Sequence, residues 1–133
     1  MKTKEFLPQD LSKELKELGF KVPCLAWWFE DGTISAPTET RGFWSDWNVY
    51  PLRISAPLWQ QATEWMRQTH KINVFVGYRL NTKKWDSHAY SLELDGKGYV
   101  KERTMKKFIE QDLFDEYYQA LESGIREAIT LIK

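Results

Sequence analysis

The sequence predicts an α+β fold: an antiparallel sheet of at least four strands, supplied by two hairpins, with three helices packed mostly on one face. Three observations carry this expectation. Residues 8–18, 55–70 and 114–132 repeat apolar side chains at helical spacing, so each has one apolar face. Residues 24–36 and 72–94 each read as two strands joined by a turn. Between them, residues 38–53 carry large aromatics with neither period. The order is helix, hairpin, irregular segment, helix, hairpin, helix, and a chain of 133 residues predicts a single domain over 1–133.

In the first helix, Leu11, Leu15 and Leu18 fall on one face. Gly19 is placed as the residue that stops it, with Phe20 closing over Leu15. Glu14, Lys16 and Glu17 form a solvated face.

Residues 24–30 (CLAWWFE) read as a strand, and Asp31-Gly32 is a two-residue hairpin signal. A tight turn there pairs Phe29 with Ile34 and Trp27 with Ala36. Leu25, Trp27 and Phe29 then share a face with Ile34, while Cys24, Ala26 and Trp28 face the other way. Pro37 ends the returning strand or marks it as an edge.

The irregular segment holds Phe43, Trp44, Trp47 and Tyr50. Pro51 argues against a central strand, and residues 49–54 fit a sheet edge. Its aromatics have two readings, a plug for the core or a sticky surface.

Residues 55–80 form a helix running directly into the strongest strand. Ser55 is a good N-cap and Pro57 is tolerated in the first turn. Leu58, Ala62, Trp65, Met66 and Thr69 share a side, opposite Gln60, Gln61, Thr63, Glu64, Arg67 and Gln68. In the strand, Ile72, Val74, Val76, Tyr78 and Leu80 alternate with Asn73, Phe75, Gly77 and Arg79. Matching apolar with apolar pairs Val76 with Tyr90, Val74 with Leu92 and Ile72 with Leu94. That register leaves 81–85 as the loop and sets His88 opposite Tyr78.

Residues 95–98 read as a turn, 99–103 as a short strand, and 104–111 as a short helix carrying Met105, Phe108 and Ile109. In the last helix Phe114, Tyr117, Tyr118, Leu121, Ile125, Ala128, Ile129 and Ile132 form the stripe. Gly124, at the edge of this stripe, lowers helix propensity by about 1 kcal/mol against Ala, which makes sense where another element crosses closely.

The totals narrow the function. Lys plus Arg and Asp plus Glu are 19 each, so no net field draws in a polyanion or an anionic membrane. The single cysteine, Cys24, forms no internal disulfide, which fits a reducing compartment. The N-terminus shows no apolar signal region, and no run approaches the roughly 20 apolar residues of a membrane span. The expectation is a cytoplasmic protein without a membrane partner.

Catalytic and metal chemistry find no constellation. His70, His88 and Cys24 lie far apart with no CxxC, HxH or HExxH spacing, so no metal site is expected. Cys24 starts an apolar strand, where free cysteine behaves as a small buried hydrophobe. Asp112, Asp115 and Glu116 suit a helix N-terminus and need no catalytic role. Gly96-Lys97-Gly98 is a turn, not a phosphate loop. No catalytic, cofactor-binding or metal-ligating residue is assigned, and no cofactor is expected.

Two groups of side chains remain. Phe43, Trp44, Trp47 and Trp59 are candidates for a partner surface, since Trp is enriched at interface hot spots. Lys97, Tyr99, Lys101, Arg103, Lys106 and Lys107 make a local basic run suited to nucleic-acid contact, diluted by Glu102 and Glu110.

Residues 4–28 (with KELGF followed by Pro23-Cys24), 56–70 (opening APLWQQA) and 115–132 together resemble small uncharacterised proteins of bacteriophages and integrated mobile elements of gut anaerobic bacteria. Members typically open with a KELGF-type helix stop and a Pro-Cys strand. They carry an APLYQQA-type helix in the middle and close on an acidic amphipathic helix. Trp59 stands here where Tyr is usual, and Thr63-Glu64 where an aromatic residue and Arg often stand. The resemblance implies genomic context and no mechanism. The resulting expectation is a non-catalytic accessory protein of a phage or mobile element. It acts through binding an unknown protein partner or through homo-oligomer formation; the alternative is a small nucleic-acid-binding module using the run 97–107.

Overall fold

The structure, a computed structural model, describes residues 3–35, 44–92 and 113–133. The expectations for Ala36, Pro37 and 38–43, for Leu94, and for the turn, strand and helix over 95–111 lie outside these residues. The fold is α+β, with three α-helices and two antiparallel sheets, of three and two strands, among the described residues. The strands thus stand in two sheets where the sequence predicts one of at least four. The chain divides into two compact units, Met1–Trp65 and Met66–Lys133.

In the first unit, α1 (Gln9–Glu17) follows Pro8 and stops where expected. Gly19 sits at φ +92°, its N–H donates to the Lys16 carbonyl at 3.0 Å, and the Phe20 N–H reaches the Leu15 carbonyl at 2.9 Å. These are the paired bonds of a Schellman stop. Leu11, Leu15 and Phe20 are buried.

Strand β1 (Ala26–Phe29) lies between β2 (Ile34–Ser35) and β3 (Arg53–Ala56) in the three-stranded sheet. Trp28 faces Ile34 and Trp27 faces Ser35, one residue away from the expected pairing. The turn is the cause. The Phe29 N–H donates to the Thr33 carbonyl at 2.9 Å, and the Gly32 N–H to the Phe29 carbonyl at 3.1 Å, so Glu30, Asp31 and Gly32 together make the loop. Gly32 takes φ +91° there, the left-handed residue that closes a three-residue hairpin. The Asp31 carboxylate accepts the Thr33 N–H (2.9 Å) and hydroxyl (2.7 Å), and these bonds hold its pKa below the ordinary value. Ile34 therefore joins Trp28 instead of Trp27.

Ser55 is a strand residue, not a helix cap. A residue before proline avoids helical backbone, so Ala56 stays extended ahead of Pro57 and β3 continues through it. Helix α2 starts at Trp59 and runs to His70, with the Gln61 side chain accepting the Leu58 N–H at 2.9 Å. β3 is an edge strand, as expected of this region, and residues 45–50 cover it. Asn48 accepts the Ser55 N–H (2.8 Å) and donates to the Phe20 carbonyl (2.9 Å), while Lys16 Nζ donates to the carbonyls of Arg53 (2.8 Å) and Tyr50 (3.2 Å). Main-chain groups that would otherwise invite another strand are taken. The core of this unit gathers Phe6, Ala26, Trp28, Ile54 and Ala56, with Ile34 and Leu58 against them. On α2, Ala62 and Trp65 are buried, with Phe20 edge-on to Trp65 at 5.2 Å.

In the second unit, Met66 is buried and Thr69, expected on the apolar side of α2, is exposed. Strands β4 (Ile72–Arg79) and β5 (Lys84–Ser91) pair as Ile72 with Ser91, Val74 with Ala89, Phe75 with His88 and Tyr78 with Trp85. This register is three residues from the expected one, an odd shift that exchanges the faces of β5. Helix α3 (Tyr117–Ile132) packs on the face of Val74, Ser87 and Ala89 and explains the choice. A Cβ on Gly124 would stand 2.7 Å from Val74 Cγ1 and 3.2 Å from Ser87 Cβ. Small side chains on β5 let the helix come that close, and close packing outweighs apolar cross-strand pairing. The tip is Leu80–Lys83 rather than 81–85, with Lys83 in the left-handed region at φ +57°.

Helix α3 buries Ala120, Leu121, Gly124, Ile125, Ala128 and Ile129. The Glu116 and Gln119 side chains cap its start reciprocally. Tyr117 and Tyr118 are exposed, and Phe114 precedes the helix, exchanging both main-chain bonds with Trp85 at 2.8 Å.

Candidate binding surface

The outer face of the three-stranded sheet carries an aromatic group centred on a cation. Residues alternate across a strand, so Trp27 and Phe29 project from the side opposite Ala26 and Trp28. Arg53, paired with Phe29 across β1 and β3, shares their side. The Arg53 guanidinium carbon lies 4.7 Å from the Trp27 ring, 4.7 Å from the Tyr50 ring and 5.6 Å from the Trp47 ring. Trp27 and Trp47 rings are 4.3 Å apart, and Phe29 meets Trp27 edge-on at 6.0 Å. Trp47 is buried, Trp27 and Arg53 are half-buried, and Phe29 and Tyr50 are 38% and 46% exposed. Ring faces around a guanidinium attract it and leave its N–H edge for other partners. Among the described residues Arg53 has no carboxylate partner, and Trp27 Nε1 is shielded from water without an acceptor.

The expected partner group is only partly assembled here. Trp47 buries its ring and donates Nε1–H to the Cys24 carbonyl at 2.8 Å. Trp59 is also buried, donating to the Lys4 carbonyl at 2.7 Å. Both indoles are scaffold because each finds a main-chain acceptor, which neutralises the one polar atom that would keep them at the surface. Trp44 is 49% exposed beside Ser45, whose main chain exchanges bonds with Cys24. Phe43 lies outside the described residues, as do Lys97, Tyr99, Lys101, Arg103, Lys106 and Lys107.

Sequence reading missed Arg53, Tyr50, Trp27 and Phe29 as one group. Alternation already set Trp27 and Phe29 on one face; Arg53 joins them only when β3 is recognised as the strand beside β1.

Nucleophilic chemistry is weak here. Burial, reinforced by the Asp46 charge, pushes the Cys24 thiol up to about 12, so it stays protonated and unreactive near neutral pH. Burial also lowers the His70 pKa. His88 stacks on Phe75 at 6.5 Å, on the face of the ribbon opposite Tyr78, so the observed register does not set those two side chains across from each other. No group of three His, Cys, Asp or Glu among the described residues suits a metal ion. A hollow of about 510 Å³ between α1 and residues 51–54 is lined by Lys13, Lys16, Glu17 and Glu30, with no cysteine or histidine. No described helix is long and apolar enough to cross a membrane. Compared with protein-family profiles, with curated proteins and with solved structures, the chain finds no match.

Proposed function

We propose that this protein is a non-catalytic accessory factor of a phage or mobile element, working in the cytoplasm through protein–protein binding or self-association. The observation that supports the reading is the outer face of the three-stranded sheet. There Phe29 and Tyr50 are exposed around the aromatic-framed Arg53. Tyr, Trp and Arg are the residue types that dominate interface energetics, and rigid, partly buried rings lose little entropy on contact. The resemblance of residues 4–28, 56–70 and 115–132 to phage and mobile-element proteins supplies the setting.

The test compares wild type with a Phe29→Ser/Tyr50→Ser variant. Both are examined by analytical ultracentrifugation and as bait in cells where the element is active. The reading expects a dimer or a captured partner with wild type and its loss with the variant, which still unfolds cooperatively. Identical self-association and capture by the two proteins overturns it.

A further inference from the structure

We propose that Arg53 anchors an acidic, apolar-flanked segment of a partner protein, its guanidinium edge taking a carboxylate. This rests on reading the outer sheet face as the binding surface and names the chemistry of what docks there. The guanidinium is already placed: rings of Trp27, Tyr50 and Trp47 surround it, and Lys16 Nζ fixes the local main chain through the carbonyls of Tyr50 and Arg53. An arginine held this way loses little freedom when a carboxylate arrives, and its planar fork matches that group with two parallel bonds.

Charge complementarity selects the ligand. Within the described residues no carboxylate of the chain neutralises Arg53, while Lys16, which shares its hollow with Glu17 and Glu30, spends its ammonium on the main-chain carbonyls of Tyr50 and Arg53. Asp46, the nearest acid in sequence, spends a carboxylate oxygen on the Asn48 N–H at 3.0 Å. The exposed rings of Phe29 and Tyr50 flank the cation, so a carboxylate between apolar side chains fits both features. A nucleic-acid strand fits less well. It needs a track of cations, while among the described residues this aromatic group frames one guanidinium, and the rings already turn faces to Arg53.

The probe is a fluorescein-labelled twelve-residue peptide alternating Glu with Leu and Phe, followed by fluorescence anisotropy. A Gln-for-Glu peptide and a single-stranded oligonucleotide serve as comparisons. The acidic peptide is expected to bind at least about tenfold more tightly than its Gln counterpart and to weaken as salt rises. Arg53→Gln is expected to remove about tenfold or more of that affinity. Arg53→Lys, which keeps the charge and loses the fork, falls between and guards against a folding defect in the Gln variant. Equal binding of the two peptides, an unchanged affinity in folded Arg53→Gln, absence of peptide binding, or displacement of the peptide by an equal concentration of oligonucleotide each overturns the proposal. None of these results touches the sheet face as an interface, which fails separately if Phe29→Ser/Tyr50→Ser leaves association and capture intact.

Discussion

Gly124 on α3 and Val74 on β4 stand so close that a Cβ on the glycine would lie 2.7 Å from the valine Cγ1. The contact marks where α3 crosses the β4–β5 ribbon. Gly124→Ala gains about 1 kcal/mol of helix propensity. It also drives a methyl into a filled site, an overpacking penalty of about 1–3 kcal/mol. Net destabilisation is expected in urea unfolding. In a Val74→Ala background the same substitution becomes neutral or stabilising, and the non-additivity of the double-mutant cycle measures the contact.

Trp47→Phe removes an indole N–H bound to the buried Cys24 carbonyl, and Trp59→Phe one bound to the part-buried carbonyl of Lys4. Trp47→Phe is expected to lower stability by about 1–3 kcal/mol, since the abandoned acceptor stays desolvated, and Trp59→Phe by less, since Lys4 is open to water. Trp44→Phe, at a half-exposed ring, is expected within about 0.5 kcal/mol of wild type. Thermal melts of the three variants check this ordering.

Asn48 holds the Ser55 N–H and the Phe20 carbonyl with its two side-chain ends. Asn48→Ala leaves both main-chain groups without that partner and is expected to cost about 1–3 kcal/mol in denaturant unfolding. Because the outward edge of β3 is then uncovered, the variant is also expected to aggregate faster on mild heating, read by light scattering.

The Cys24 thiol carries a pH signature. Its ordinary pKa is 9.0 and burial moves it to about 12 in the folded chain. The folded state therefore keeps a proton that the unfolded chain releases, so its contribution to stability is full below about pH 9 and is lost as pH rises toward 12. Unfolding free energy is expected to fall more steeply over that window in wild type than in Cys24→Ala. Iodoacetamide labelling at pH 8 is expected to be slow and to accelerate with urea.

Local signals were legible in the sequence wherever one residue governs the backbone. Gly19 stopped α1, the apolar stripe of residues 121–129 became the buried face of α3, and Gly124 marked a close crossing. What escaped were features set by competition between elements. The pairing of Val76 with Tyr90 satisfied cross-strand apolar contact, and the helix above the ribbon required Ser87, Ala89 and Ser91 on that face instead. The hairpin after β1 shifted because Asp31 and Thr33 built a three-residue loop from a two-residue signal. Ser55 has the chemistry of a cap, yet Pro57 keeps Ala56 extended and so holds Ser55 in β3. The site suffered from the same limit. Trp47 and Trp59 are large aromatics of the kind that make interfaces, yet each found a main-chain carbonyl, and Arg53 became significant only through the strand beside it.

The most direct test of the account is photocrosslinking from the sheet face. A chain carrying p-benzoylphenylalanine at position 29 or 50, expressed in the cells that naturally produce it, is expected to form a discrete adduct with one partner or with a second copy. The same probe at position 75, on the second unit, is expected to give none. Adducts from position 75 with none from 29 or 50 would contradict the assignment of the outer face around Arg53 as the binding surface.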